Sequence, residues 1–349
     1  MWRSLLVALF GTWTVAAQTP VESARAAIRK MFADDQPGAA VAVVRAGEPL
    51  ILEGFGLADV AEKTPITPDT AFDLASVSKQ FTATAVLHLM ERGKLSLDDP
   101  VRRWVPDFDG PETVTLRHLL NHTSGLVDYL AVYRGSDDDF AKLQNRDVAR
   151  IVAGRKPKFE PGSRFEYSNT NYALLPVVVE AASGKTFGKY LEDFICHPIG
   201  MNRTRVMDHL PCRVEGRATG YGKRFGLVGK LVPRRKDGPI CGDGNVFSTA
   251  RDLVAWDSAQ REGRLLRHDT WQLAWTPPTL AGGQKSDYGF GWVLEREPEQ
   301  AGVWHNGRWA GTRTIMYRRT RDQLTVIILS NNEVADVDGL CRSILKAFP

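Results

Sequence analysis

Ser76 and Lys79 stand three positions apart in the run Ser76-Val77-Ser78-Lys79. On a helix that spacing puts both side chains on one face, one turn apart. A serine hydroxyl is a weak nucleophile near neutral pH until a base within hydrogen-bond reach takes its proton, and a lysine amine one turn away is such a base. Two further groupings carry chemistry. Tyr167-Ser168-Asn169, the only Tyr-x-Asn triplet in the chain, offers a phenol that can relay a proton and an amide that can hold a substrate carbonyl. His305-Asn306-Gly307 falls between the strand-like runs Gly302 to Trp304 and Thr312 to Tyr317. Its glycine would let a substrate approach the backbone, and a strand edge there could donate an N–H to an oxyanion. Each grouping also has a plainer alternative: Ser76 as a helix N-cap, Tyr167 as a loop residue before a cap, and Asn306-Gly307 as a hairpin turn. A second Ser-x-x-Lys occurs at Ser343 and Lys346, inside the last amphipathic segment. Only Ser76 lies where a strand-like run, Ala71 to Leu74, gives way to a helical run, Gln80 to Arg92, so that free N–H groups and the positive helix end converge on it.

The elements that must position these residues follow from periodicity. Alternating apolar residues from Ala39 to Val44, a turn at Ala46-Gly47-Glu48-Pro49 and a run from Leu50 to Phe55 predict a β-hairpin. From Ser76 to about Ala182 the pattern is mostly helical, with a short helix over Thr115 to Leu120 and a longer one over Asn171 to Ala182. A helix over Ser248 to Gln260 follows. Tyr288 to Glu295, Gly311 to Arg318 and Gln323 to Ser330 then read as three strands, closed by a helix over Val334 to Phe348. A hairpin at one end, strands at the other and helices between imply an α+β fold. One antiparallel sheet is built from both chain ends (about 18–75 and 245–349), with a mostly helical lobe (about 76–244) inserted, and the cleft between lobes is the expected active site.

Taken together and in order, the three groupings resemble the serine β-lactamase and penicillin-binding-protein superfamily, and within it the class C β-lactamase-related hydrolases, which include esterases and D-amino-acid peptidases. The runs Phe72 to Thr82, Gly93 to Pro100, Leu119 to Leu126 and Ser248 to Leu253 share the likeness, which extends from Pro37 to Ser330. The resemblance implies a β-lactamase/transpeptidase-like fold and a cofactor-independent, metal-free serine hydrolase that works through an acyl-enzyme. Ser76 would be the nucleophile, with Lys79 and Tyr167 sharing the base and relay roles. Asn169 would orient the substrate amide or the lysine, His305 and Gly307 would fill the third motif, and the backbone N–H groups of Ser76 and Arg308 would form the oxyanion hole. His305 departs from the antibiotic-handling members, which carry lysine there. A mostly neutral imidazole gives no fixed charge for a substrate carboxylate, which favours esters or amides lacking one, although Arg308 or Arg313 could supply charge. A true β-lactamase or D-Ala-D-Ala carboxypeptidase is the nearest alternative. A non-catalytic exported sensor is the alternative of another class, and the intact Ser76, Lys79 and Tyr167 set weighs against it.

The partner that the resemblance implies is a small acyl substrate: an ester, amide, peptide or β-lactam. Arg3 followed by the apolar stretch Leu5 to Ala17, with Val15-Ala16-Ala17 as a cleavage site, reads as an export signal, and so predicts a periplasmic or secreted protein beginning near Gln18. No later stretch is apolar for long enough to span a bilayer. The chain has 349 residues and a net charge of +4, too small a bias for a polyanionic partner, and the basic stretch Lys223 to Lys236 reads as an exposed hairpin or loop rather than a nucleic-acid patch. Its four cysteines contain no Cys-x-x-Cys pair, and Cys196 with Cys212 is the expected bridge if one forms. No Gly-x-Ser-x-Gly elbow is present, and His118 and His122, four apart, lack the glutamate of a zinc-binding His-Glu-x-x-His. Trp104, Tyr129, Tyr133, Trp304 and Trp309 are candidate cleft-wall aromatics.

Overall fold

The structure is a computed structural model that describes residues 18–223, 231–233 and 237–349. The export-signal segment 1–17 and most of the basic stretch lie outside the described residues; of the latter, Tyr221–Lys223 pairs with Leu231–Pro233 as an antiparallel hairpin.

Six strands form the central antiparallel sheet: β1 (Ala39–Arg45), β2 (Glu48–Phe55), β3 (Val293–Glu295), β4 (Gly302–Trp309), β5 (Thr312–Arg319) and β6 (Leu324–Ser330). Their spatial order is β3-β4-β5-β6-β1-β2, so the two chain ends meet in the middle, where Ala39 pairs with Ser330 and Arg45 with Leu324. The β1–β2 connection is two residues long. Ala46 (φ 52°) and Gly47 (φ 92°) both take left-handed conformations, the pattern whose twist suits a tight hairpin, and β2 therefore starts at Glu48, inside the expected four-residue turn.

Five helices pack around the sheet and the site: α1 (Pro20–Met31), α2 (Lys79–Glu91), α3 (Asn169–Ser183), α4 (Ala250–Arg261) and α5 (Val337–Ala347). Alternation along β1 decides which of them covers each face. Ala39, Val41 and Val43 pack with Ala24 and Ile28 of α1 and Leu340 and Ile344 of α5. Ala40, Ala42 and Val44 join the larger core, which includes Val86 of α2 and Trp256 of α4. Each such Val, Leu or Ile contributes about 1.5–3 kcal/mol on burial. Local chemistry sets the helix ends: the Thr249 hydroxyl accepts from Asp252 N at 3.0 Å to start α4, and Gly184 (φ 72°) ends α3.

α2 obeys a different rule. It is buried all round from Lys79 to Leu89, so its polar side chains need partners inside the protein. Thr82 Oγ1 donates to Gly242 O at 2.7 Å, and His88 Nδ1 lies 2.6 Å from the Tyr190 hydroxyl. This helix is the shared wall between sheet and inserted helices, and it carries the Ser76 turn at its start.

Two expectations are corrected. The strand run after residue 288 has four members, because His305-Asn306-Gly307 lies inside β4 rather than in a turn; the β4–β5 turn is at Ala310 and Gly311. All four cysteines are free thiols. Cys196 is buried in the main core, whereas Cys212 packs on a separate small cluster of Ala71, Met207, Val214 and Phe247; both line one cavity but they are not bonded. Among the described residues no helix is long and apolar enough to cross a membrane.

Candidate active site

Ser76 sits in a 3-10 turn, Ala75–Ser78, that feeds directly into α2. It does not cap the helix: Ser78 holds the cap position, and its hydroxyl instead accepts from Val246 N at 3.1 Å. The turn is tied down from several directions. Leu74 N donates to Val246 O at 2.9 Å, Thr312 Oγ1 to Asp73 O at 3.1 Å, and Thr314 Oγ1 to Leu74 O at 2.7 Å. Ala75 takes a left-handed conformation (φ 47°), a cost on the order of 1–2 kcal/mol for a residue with a Cβ, and its N–H is held by Asp73 Oδ1 at 2.8 Å. Gly307 lets β4 lie against this turn. A Cβ there would stand 2.3 Å from Leu74 O and 2.3 Å from Thr314 Oγ1, so the close approach that glycine permits is that of the protein's own backbone.

Lys79 is fully buried and its Nζ meets three acceptors: Ser76 Oγ at 3.2 Å, Asn169 Oδ1 at 3.0 Å and the Asp243 carbonyl at 2.7 Å. These account for all three hydrogens of an ammonium. The same Ser76–Lys79 contact, run from hydroxyl to neutral amine, is the transfer a serine nucleophile needs. Asn169 is aimed by Asp128, whose Oδ2 accepts from both its backbone N and its Nδ2 at 2.9 Å. Tyr167 meets the lysine through its ring face, with Nζ 4.9 Å from the centroid, and is 36% exposed.

Two buried histidines complete the floor. His122 Nδ1 lies 3.3 Å from Ser168 N and 3.0 Å from Asn171 Nδ2, both donors, so its proton belongs on Nε2, which has no partner. Its ring packs 4.3 Å from Tyr167 and within 5.0 Å of Tyr172 and Tyr288. His305 Nδ1 lies 2.6 Å from the Asn306 carbonyl, which can only accept; its Nε2 therefore receives the Tyr288 hydroxyl at 3.0 Å. Burial, reinforced by the nearby Lys79 charge, drops His305 to about 3 and holds His122 well below its ordinary value, so both are neutral near pH 7.

Two cavities meet at Ser76. One, of roughly 140 Å³, is narrow and lined by Asp73, Tyr129, Phe140, Asn169, Asp243 and Trp309. The other, of roughly 780 Å³, is wide and lined by Arg164, Phe165, Tyr167, Leu280, Tyr288 and His305. Ser76 and Arg308 line both. The structure thus gathers Ser76, Lys79, Tyr167, Asn169, His305 and Arg308 around one point. Arg313 is turned away, its Nε donating to the Glu333 carbonyl at 2.7 Å. Of the candidate wall aromatics, Tyr129 and Trp309 line the narrow cavity. Trp104 donates to Asp99, Tyr133 packs on Phe140, and Trp304 stacks on Tyr317 away from the cleft. His118 pairs with Thr115 at a helix start, and Ser343 donates to Gly339 O within α5. Sequence reasoning missed Asp128, Asp243, Tyr288, Thr312 and Thr314. It met His122 only as a possible zinc ligand, although the Leu119 to Leu126 run contained the signal.

The family model described as Beta-lactamase matches residues 24–346. The chain belongs to the β-lactamase family. As a β-lactamase-family chain it is a serine hydrolase with that family's α+β fold. It is 38% identical over 307 residues to a penicillin-binding protein of Bacillus subtilis, covering 84% of this chain and 68% of that one. It is 30% identical over 299 residues to a D-aminopeptidase of Brucella anthropi, covering 85% of this chain but 56% of that protein. Among solved structures, the D-amino acid amidase of Ochrobactrum anthropi in complex with D-phenylalanine superposes with a TM-score of 0.80 at 26% identity, covering 93% of this chain and 98% of the amidase.

Proposed function

We propose that the protein is an exported hydrolase that cleaves an ester or amide bond through an acyl-enzyme on Ser76. The observation that carries this reading is the buried Lys79 amine nitrogen 3.2 Å from the Ser76 hydroxyl, at the point where two cavities meet. Ser76 Oγ attacks the carbonyl carbon while its proton passes to the Lys79 and Tyr167 pair, and the oxyanion rests on the N–H groups of Ser76 and Arg308. The relayed proton goes to the leaving amine or alcohol as its bond to the carbonyl carbon breaks. Water then adds to the acyl carbon, its proton taken by the same pair and returned to Ser76 Oγ as the Ser76 ester breaks and the acid is released. Asn169, held by Asp128, keeps the lysine aimed. The neutral His305 supports esters and amides over substrates that need a fixed cation at that position. The likeness to a D-aminopeptidase and a D-amino acid amidase supports D-aminoacyl amides and peptides among the substrates.

Intact mass and turnover with a p-nitrophenyl ester, a D-alanyl amide and a chromogenic cephalosporin test the reading. Ser76→Ala is expected to lower turnover by about 10⁶-fold, the scale of a hydrolase nucleophile, and to abolish the acyl mass shift. Retained turnover or labelling in that variant would reject it, and labelling of the native enzyme without product release would favour a sensor. N-terminal sequencing of the exported form should begin near Gln18.

A further inference from the structure

Of the side chains gathered at Ser76, Tyr167 is the one the fold holds least directly. Its hydroxyl and its backbone N–H find no protein partner among the described residues, and its ring is exposed. Its place must therefore come from its neighbours. The residues on either side of it are fixed by one side chain and its backbone: Glu166 N donates to the His122 carbonyl at 3.0 Å, and Ser168 N donates to His122 Nδ1 at 3.3 Å. The His122 ring also supports the phenol, with 4.3 Å between ring centroids. Two further bonds lace the same segments together, Gly162 N to Thr123 O at 2.8 Å and Lys158 N to Gly125 O at 2.9 Å. They hold the start of the loop, whereas His122 holds the two residues that flank Tyr167.

His122 keeps this place against two local costs. It is a residue with a Cβ in the left-handed region, at φ 57°, and its buried Nε2–H has no partner. A neutral imidazole supplies in one ring both an acceptor for a backbone N–H and a flat face for a phenol. The surroundings decide which nitrogen accepts. Ser124 Oγ donates to Asn171 Oδ1 at 2.5 Å, so the Asn171 amide turns its Nδ2 toward His122 Nδ1 at 3.0 Å, and two donors on Nδ1 exclude a proton there. His122 is fully buried and lines neither cavity, so any effect it has on turnover passes through other side chains.

We propose that His122 is the positioning residue for Tyr167: its carbonyl and its Nδ1 clamp the backbone on both sides of the tyrosine and so hold the phenol against Lys79 for proton relay. This rests on the acyl-enzyme reading with Tyr167 in the relay, and adds to it a residue that touches neither substrate nor Ser76.

Two substitutions separate the acceptor from the ring. His122→Asn places an amide oxygen where Nδ1 stands and tolerates the left-handed backbone, whereas His122→Phe keeps a flat ring and deletes the acceptor. With a p-nitrophenyl ester, His122→Phe is expected to lower kcat by about 100-fold with KM little changed, the scale on which a displaced catalytic group loses rate, and His122→Asn to recover about tenfold of that loss. In a Tyr167→Phe background His122→Phe should lower kcat by no more than about twofold, because the group it positions is gone. A merely destabilised site would lose rate in both backgrounds. An equal loss in the Tyr167→Phe background, or no recovery with asparagine, therefore overturns the proposal. The native protein gives a second reading that does not depend on a variant folding. Nitrogen NMR of the His122 imidazole should find its proton on Nε2 near pH 7, and a proton on Nδ1 overturns the proposal, because that nitrogen could then accept nothing from Ser168. Full kcat in Tyr167→Phe alone rejects Tyr167 as the relay and this inference with it. A kcat that depends on Tyr167 but is indifferent to His122 rejects this inference alone and leaves the Ser76 acyl-enzyme standing.

Discussion

Thr314 Oγ1 donates to the Leu74 carbonyl at 2.7 Å, joining residues 240 positions apart and fastening the turn that carries Ser76 to the strand behind β4. Thr314→Val keeps the shape and deletes the donor. Leu74 O still receives Val77 N at 3.1 Å, so the stability loss should be only about 1 kcal/mol. The effect on turnover should be larger, because a small shift of the turn misplaces Ser76 against Lys79: a fall of about 10- to 100-fold in kcat with KM little changed. Ester kinetics beside a denaturation curve check this. Unchanged kcat in a destabilised variant would mean that Leu74 and Ser76 are held without the threonine.

That bond also marks where sequence reading stops. Ser76 and Lys79 are legible because one helical turn links them, and Tyr167 and Asn169 because they are near neighbours. Strands β1, β2, β5 and β6 are legible by their apolar runs. Thr314, Thr312, Asp128 and Asp243 are ordinary residues until folding carries them across long stretches of chain to the site, and no local pattern separates them from other polar residues. The Asn306-Gly307 pair shows the opposite case. Its local chemistry suits a turn, but pairing with β5 along its whole length keeps it extended, with Gly307 opposite Thr314.

Gly307→Ala tests that strand contact. The added methyl would stand 2.3 Å from both Leu74 O and Thr314 Oγ1, so backbone must move. Overpacking of this kind costs about 1–3 kcal/mol, and the movement separates β4 from Ser76. Expected outcomes are a lower melting temperature and loss of most ester turnover, with Lys79 and Tyr167 untouched. Normal activity in this variant would show that the oxyanion side of the cleft tolerates a displaced β4.

The free thiols lead to a simpler expectation. Burial raises the Cys196, Cys241 and Cys341 thiols well above their ordinary value, which makes them poor nucleophiles, while half-buried Cys212 is raised less. Reducing agent should leave the melting temperature unchanged, and intact mass should show four alkylatable thiols after unfolding. In the native state Cys212 should label first. A mass two hydrogens short of the fully reduced chain would restore the disulfide.

The neutral histidines make stability depend on pH, and the direction follows from which state binds protons. His305 titrates at about 3 when folded and near 6.5 when unfolded, so between those values the unfolded chain holds a proton that the folded one refuses. Its contribution is fully present above about 6.5 and is lost as pH falls toward about 3. His88, lowered to about 4 by burial, and His122, lowered mainly by burial, act in the same direction. Asp73 and Asp243, raised to about 6, act oppositely and add stability as pH falls from about 6 toward 3.8. The histidine effect is isolated by His305→Gln, which keeps an amide in place of the imidazole and removes one titrating group. The difference in unfolding free energy between pH 7 and pH 4.5 should shrink by about 3 kcal/mol relative to the native protein, at about 1.4 kcal/mol per unit over the two units below 6.5. Chemical denaturation at both pH values measures it. An undiminished difference would mean that His305 accepts a proton in the folded state, and the third position of the motif would then carry charge after all.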